Sequence, residues 1–361
     1  MFQRLMHRVL VMLALFLGFF SVHGALAAEN AVPEQAPVAQ PPAGAEGQPL
    51  MLHLVIGDPN GSEMDVVATE FMNQVHLLSE GKMRVKISYG GSLGEDETFH
   101  FHKVQLDQQD MALGGVGNLV PMVKNLGVVT LPYLFKDVND VVRGTTGKAG
   151  ELLNAYAREA GLRILAWTYC GFRFLSNSKR PVAAFDDMKL LRIRVPQNIV
   201  MVETYRAFGA QPSTIPWDMT YKALEHGLVD GQCYDYAGFQ AMNFQKVGQK
   251  YITELHYLYN LQPLVVSERL FNELDDAQRS VLVSAGELAQ QRSLRYQNDM
   301  MSKAKEELIL DGVQVTSIAD ESPWRERAFS IVWPRVARSV GGRERINAYL
   351  KACGKPEWQD K

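Results

Sequence analysis

Cysteine is scarce in this 361-residue chain, and the three present, Cys170, Cys233 and Cys353, make an odd count. Their spacing excludes a zinc site of the paired C-x-x-C kind. A charge excess is also missing, because Lys plus Arg (37) nearly balance Asp plus Glu (40). With no basic block carrying interleaved aromatics, the composition argues against nucleic acid, and nothing in it selects a membrane surface. Beyond the first residues no stretch is apolar for long enough to span a bilayer, so the folded chain does not insert directly and cannot itself carry a solute across. Catalytic signatures are absent too: there is no H-E-x-x-H and no G-x-S-x-G. Gly114, Gly115 and Gly117 do not complete G-x-G-x-x-G, and read instead as a tight turn lining a cleft. His100 and His102 stand two apart in a predicted helix and point to different sides, so they cannot share a metal. Glu95, Asp96 and Glu97 open that helix, where acids favour the dipole without any catalytic role. We expect no enzyme, no cofactor and no metal.

The N-terminus has a basic start (Arg4, His7, Arg8), an apolar run from Val9 to Phe20 and small residues up to Ala27. This describes a secretory signal at 1–27, cleaved after Ala27. Residues 28–49, with Pro33, Pro37, Pro41 and Pro42, lack apolar periodicity and read as a disordered tether. About 310 residues remain, enough for two α/β lobes.

Along the chain, Leu52 to Ile56 reads as a strand. Ser62 then caps a helix on which Met64, Val67, Phe71, Val75 and Leu78 recur three or four apart, and Gly81 closes it. Met83 to Ile87 alternates as a second strand. Helix is expected from about Asp137 to Ala160 with a break near Gly144 to Gly147, and strand from Arg163 to Tyr169. Ile252 to Leu258, Leu264 to Ser267 and Val313 to Ile318 read as further strands. Asp275 to about Leu310 contains no Pro and a single Gly, Gly286, which predicts a long helix needing a large surface to lie on. Two closing helices finish the chain, and no internal repeat is visible.

The densest pattern lies between Met188 and Tyr236. Leu191, Ile193 and Val195 alternate with Arg192 and Arg194, the period of a half-buried strand that Pro196 ends. A helix starts at about Gln197 to Ile199, so its free N–H groups lie beside Arg194 and suit an anion such as a carboxylate. Further on, Pro216 fixes Trp217-Asp218, Asp218 is a candidate N-cap for Met219 to His226, and Leu228 is expected to fold back over Gly227.

The run Arg192-Ile193-Arg194-Val195-Pro196-Gln197, with Phe208-Gly209-Ala210, Pro216-Trp217, Tyr221, Ala223-Leu224, Gly227 and Val229-Asp230-Gly231-Gln232, resembles the solute-binding proteins of tripartite ATP-independent periplasmic (TRAP) transporters. The likeness extends more thinly from about Leu52 to Tyr349, including Leu93-Gly94, Asp110-Met111 and Leu131 to Phe135. It implies a periplasmic binding protein-like α/β fold, two lobes around a cleft with a long spine helix crossing both. The lobes would comprise 50–172 with 259–310, and 173–258 with 311–361.

The resemblance also implies a periplasmic receptor that closes over a small organic acid and delivers it to TRAP permease membrane subunits. A binding protein that senses its ligand without transport is the alternative. Arg194 would take the carboxylate in a bidentate pair. Arg173, two residues after Gly171, would be a second cationic contact, or else an arginine pinning an interlobe loop. Gln197 and Gln232 would add polar contacts, and Trp217 and Tyr234 would cover the apolar part of the ligand. After Gln232 the chain departs from the family: Cys233 and Tyr234 stand where an acid and then Asn or Trp are usual. Some relatives hold a metal with that acid. Cys170 and Cys233 both fall near the expected cleft, leaving a disulfide as one reading and buried free thiols as the default.

Overall fold

The computed structural model describes residues 47–90 and 95–359. The expected signal 1–27, nearly all of the tether 28–49 and the connection at 91–94 lie outside the described residues.

The first sheet is built from β1 (Leu50–Ile56), β2 (Met83–Tyr89), β3 (Met111–Leu113), β4 (Leu162–Phe172) and β10 (Tyr259–Ser267) in the order β2-β1-β3-β10-β4. β1 is parallel to β2 and β3, and β10 runs antiparallel between β3 and β4. All nine β10 residues are buried although the sequence suggests strand only from Leu264. Pro263 hides the first half, because a proline normally breaks a ladder; here the register shifts on either side of it. The helix Glu63–Leu78 packs on this sheet through Met64, Val67, Phe71 and Val75, and the Ser62 side chain accepts from the Asp65 N–H at its start.

The second sheet has six strands in the order β11-β9-β5-β8-β6-β7: β5 (Phe174–Asn177), β6 (Arg192–Val195), β7 (Gln211–Thr214), β8 (Gly231–Tyr234), β9 (Tyr251–Glu254) and β11 (Gln314–Ser317). β9 stops at Glu254 rather than Leu258. The next residues, Leu255, Tyr257 and Leu258, are buried as core rather than ladder. The chain passes from the first sheet to the second between Phe172 and Phe174, and returns between Glu254 and Tyr259.

The long helix forms as expected, Asp276–Leu310, with Asp275 and Gln278 exchanging the two bonds of a capping box. At 1.5 Å per residue it is about 52 Å long. Its N-terminal half gives Leu282, Ala285 and Ala289 to the core under the first sheet, and its C-terminal half gives Ala304 and Leu308 to a core under the second. It also closes the edge of β4: Gln290 Oε1 accepts from the Trp167 N–H at 2.9 Å and Ser293 Oγ from the Tyr169 N–H at 2.7 Å.

The closing helices depart from expectation. Grouped above with the second lobe, they pack mainly in the first: Trp333, Val336, Val340, Ile346, Tyr349 and Cys353 share a core with Leu153, Tyr156, Ala157 and Leu162. Tyr349 donates its hydroxyl to the Gly144 carbonyl at 2.6 Å, and Trp333 donates Nε1 to the Pro132 carbonyl at 3.0 Å. Apolar matching in three dimensions decides this, and chain order does not report it.

Gly286 is the point of closest approach between the long helix and β4. A Cβ built there would lie 2.3 Å from the Leu165 carbonyl oxygen. Alanine favours helix over glycine by about 1 kcal/mol, and overpacking costs about 1–3 kcal/mol. Gly286→Ala is therefore expected to lower the midpoint of urea unfolding, and a raised midpoint would refute the close approach.

Candidate functional site

Between the two sheets lies a narrow cleft with a free volume of about 30 Å³. One wall is Met64, Glu97, Asn118 and Thr130; the facing wall is Arg194, Met201, Trp217 and Tyr234, and β10 closes the back with Tyr259 and Gln262. The two sides touch. Trp217 donates its indole N–H to Asp58 Oδ1 at 2.8 Å and its backbone N–H to Asp96 Oδ1 at 3.3 Å. The Tyr234 hydroxyl donates to Asp58 Oδ2 at 3.2 Å, and Asn198 Nδ2 to Thr130 Oγ1 at 3.3 Å.

Strand periodicity places Arg194. Ile193 and Val195 fall into the second-sheet core, so Arg192 and Arg194 emerge on the opposite face. Their fates differ. Arg192 forks onto Asp230, Nε to Oδ2 at 3.1 Å and Nη2 to Oδ1 at 2.8 Å, and serves the fold. Arg194 is 2% exposed and lines the cleft. Its Nε donates to the Ile215 carbonyl at 2.8 Å, its guanidinium faces the Trp217 ring at 5.4 Å, and its buried Nη2 has no partner. Burial, then the neighbouring Arg173, lowers its pKa to about 10, so it remains a cation at neutral pH.

Arg173 also lines the cleft, and each of its three nitrogens makes one bond to protein: Nη1 to Asn260 Oδ1 at 2.7 Å, Nη2 to the Cys233 carbonyl at 2.6 Å and Nε to Cys233 Sγ at 3.4 Å. Its backbone N–H donates to the Leu258 carbonyl at 2.8 Å, so it ties the crossing at 172–174 to the one at 254–259. Trp217 and Tyr234 stack at 4.9 Å and form one aromatic wall.

The two glutamines lie elsewhere. Gln197 is exposed and lines a pocket that adjoins the cleft at Asn118, with Asp96, Thr98, Thr214 and Pro216. Gln232 is fully buried behind the wall, its Nε2 on Ser176 Oγ at 3.3 Å. The expected anion site at the helix start is also corrected. Asn198 caps Ile199–Ala207 and its Oδ1 takes the N–H groups of Val200 and Met201, so those donors are occupied. Asp218 is exposed and makes no cap; the helix is Thr220–Glu225 with Met219 at the N-cap position, and Leu228 is 63% exposed rather than folded back. All three cysteines are free and buried, so Cys170 and Cys233 are not joined.

The sequence reading did not single out the acids that surround these arginines. Glu97, 5% exposed, accepts on Oε2 from the Gly115 N–H at 2.8 Å and from Asn118 Nδ2 at 2.6 Å. Burial and the nearby Asp58 push its pKa up to about 7 against those bonds, and burial lifts Asp58 to about 6. The signal missed was that only Asp96 is needed as the cap, since its side chain accepts from the Thr98 N–H. Deeper still, Glu63, Cys170 and Asp235 bring potential ligand atoms within 4.8 Å of one another. Asp235 already accepts from the Gly238 N–H and from Asn260 Nδ2, both at 2.8 Å, and burial raises both carboxyls.

A carboxyl whose pKa rises on folding stabilises the protein below its unfolded value and loses that contribution as pH climbs through the folded value. For Glu97 the window runs from 4.5 to about 7. The stability of the native protein relative to Glu97→Gln is expected to fall across it by on the order of 3 kcal/mol, at about 1.36 kcal/mol per unit. Urea unfolding at a series of pH values measures this, and a flat difference would show that Glu97 is ionised and well solvated.

A sequence profile described as "Bacterial extracellular solute-binding protein, family 7" matches residues 58–338. A solute-binding protein of Chromohalobacter salexigens is 27% identical over 272 residues, covering 74% of this chain and 78% of its own. The fold is similar to that of a TRAP periplasmic solute-binding protein from a Polaromonas species bound to D-erythronate, with TM-score 0.78, 28% identity, and 83% of this chain and 97% of that one covered. It is also similar to one from Ralstonia eutropha with bound (S)-2-acetolactate, with TM-score 0.77, 26% identity, and 85% and 99% covered. Among the described residues no helix is long and apolar enough to cross a membrane. With a matched profile over most of its length and two sheets joined by a common spine, the chain belongs to the family 7 bacterial extracellular solute-binding proteins, the solute receptors of TRAP transporters.

Proposed function

We propose that this receptor works in the periplasm, closes its two lobes over a small organic carboxylate, and presents the closed form to the membrane permease of a TRAP transporter. The unpartnered Nη2 of Arg194 carries this reading. A buried guanidinium edge left without an acceptor is costly in a closed protein, and a ligand carboxylate supplies the acceptor it lacks. D-erythronate and (S)-2-acetolactate, the ligands of the two structural relatives, each bring one such group.

In this scheme Arg194 binds the carboxylate directly. Arg173 adds positive potential from a fixed position and keeps the crossings in register, while Trp217 and Tyr234 cover the ligand. Asp58 and Asp96 receive those aromatic residues from the facing lobe, so closure of the lobes and completion of the site are one event. Ligand shifts the balance toward the closed form by its difference in affinity for the two forms. The lobes pivot where the chain crosses between the sheets, at 172–174 and 254–259, with the long helix as their shared backing.

Arg194→Ala is expected to weaken binding of the best ligand by on the order of 2–5 kcal/mol, the range for removing one member of a desolvated charge pair. Arg194→Lys retains the charge but loses the fork, and should fall between. Calorimetry with D-erythronate and (S)-2-acetolactate tests this; affinity unchanged in Arg194→Ala would defeat the assignment.

A further inference from the structure

We infer that Glu63, Cys170 and Asp235 form a site for one zinc-like divalent cation behind the ligand cleft, and that the bound ion bridges the two lobes. The three potential ligand atoms lie within 4.8 Å of one another, and all three residues are buried. They come from separate parts of the chain. Glu63 opens the helix Glu63–Leu78 and Cys170 stands near the end of β4, both in the first lobe, while Asp235 follows β8 in the second. The site is whole only when the two sides meet.

Two buried polar atoms show that hydrogen bonds do not exhaust this cluster. Glu63 is 6% exposed, its carboxyl meets the Cys170 thiol, and its Oε1 has no partner. The Tyr259 hydroxyl is 3% exposed, has no partner either, and lies within electrostatic reach of Glu63, Cys170 and Asp235. A buried carboxylate oxygen without a donor is costly, and a cation supplies what it lacks. Asp235 is held as a metal ligand needs to be. The Gly238 N–H bonds its Oδ1 and Asn260 Nδ2 its Oδ2, both at 2.8 Å, so the carboxylate is oriented and still has lone pairs to give. Asn260 Oδ1 in turn accepts from Arg173 Nη1 at 2.7 Å, which links the cluster to the cleft.

The donor set selects the ion. A thiolate beside two carboxylates suits a borderline-soft ion such as Zn²⁺, whereas Ca²⁺ and Mg²⁺ want a larger shell made of oxygen alone. Three protein ligands leave one tetrahedral position, which a water bonded to the Tyr259 hydroxyl would fill. Cys233, which stands where some relatives carry a metal-holding acid, takes no part, because its sulfur lies against Arg173 Nε at 3.4 Å. Two carboxylates and a thiolate around a divalent ion leave a single negative charge. Arg173 lies near enough to Asp235 to offset it.

The test begins with the mature chain stripped by EDTA, dialysed against Zn²⁺ and analysed for metal, then repeated with Co²⁺ as a spectroscopic stand-in. One equivalent should bind, and Co²⁺ should give the near-ultraviolet charge-transfer band of a cobalt–thiolate bond. Cys170→Ser should lose that band and, like Glu63→Gln and Asp235→Asn, hold zinc at least about tenfold more weakly. Because a variant can lose metal by losing its fold, the band of the native chain is decisive by itself: one equivalent of Co²⁺ without it, or no metal bound at all, overturns the site. So does Ca²⁺ taken up as tightly as Zn²⁺. With no organic acid present, Zn²⁺ should also lower the radius of gyration in small-angle X-ray scattering. Asp235→Asn, which removes the second lobe's ligand, should cancel that change, and an unchanged radius in the zinc-loaded native chain would overturn the bridge between the lobes. None of these readouts depends on which acid the cleft binds, so the assignment of a carboxylate to Arg194 stands or falls separately.

Discussion

One guanidinium, held by one edge and open at the other in a space that water barely enters, is the constraint around which this cleft is built. Arg194 sits beside a second arginine, and both burial and that neighbour work against its charge. It keeps the charge because its pKa, lowered to about 10, is still well above neutrality, and it keeps its place because Nε rests on the Ile215 carbonyl and the plane faces Trp217. Pro196, the chain reversal to Ile215 and the aromatic wall all serve to keep that edge in place.

The acids around it complete the balance. Four carboxyls, Asp58, Glu63, Glu97 and Asp235, lie buried around two arginines, and burial raises all four, which weakens the negative charge they set against the guanidinium groups. Asp58 has a mechanical part as well. It accepts from both members of the Trp217–Tyr234 stack across the interlobe gap, so the same aromatic surface that would cover a ligand also fastens the two halves.

Much of this was legible in the chain. Period-two alternation put Arg194 on the free face of β6, and the run without proline from Asp275 to Leu310 foretold the long helix to within a residue. Where side chains carry one local explanation that suffices, a second role stays hidden. Glu97 passed for a helix-dipole acid, while Gln262 fell outside the strand expected from Leu264 because Pro263 hides the first half of β10. Gln197 and Gln232 illustrate the converse: motif neighbours of a cleft arginine need not line the same cavity, because one is exposed in an adjoining pocket and the other is buried on Ser176. The packing of 332–353 against 153–162 could not be read at all, since nothing local distinguishes one apolar partner from another.

That last feature governs when the molecule can take shape. A core shared by Leu153, Tyr156 and Leu162 with Ile346, Tyr349 and Cys353 is left half-walled until the final helix arrives. A chain emerging N-terminus first therefore cannot seal its first lobe early, however soon β1 to β4 are available. That core closes only when residues 332–353 dock on 153–162, so the order in which the chain is made and the order in which this lobe is sealed are not the same.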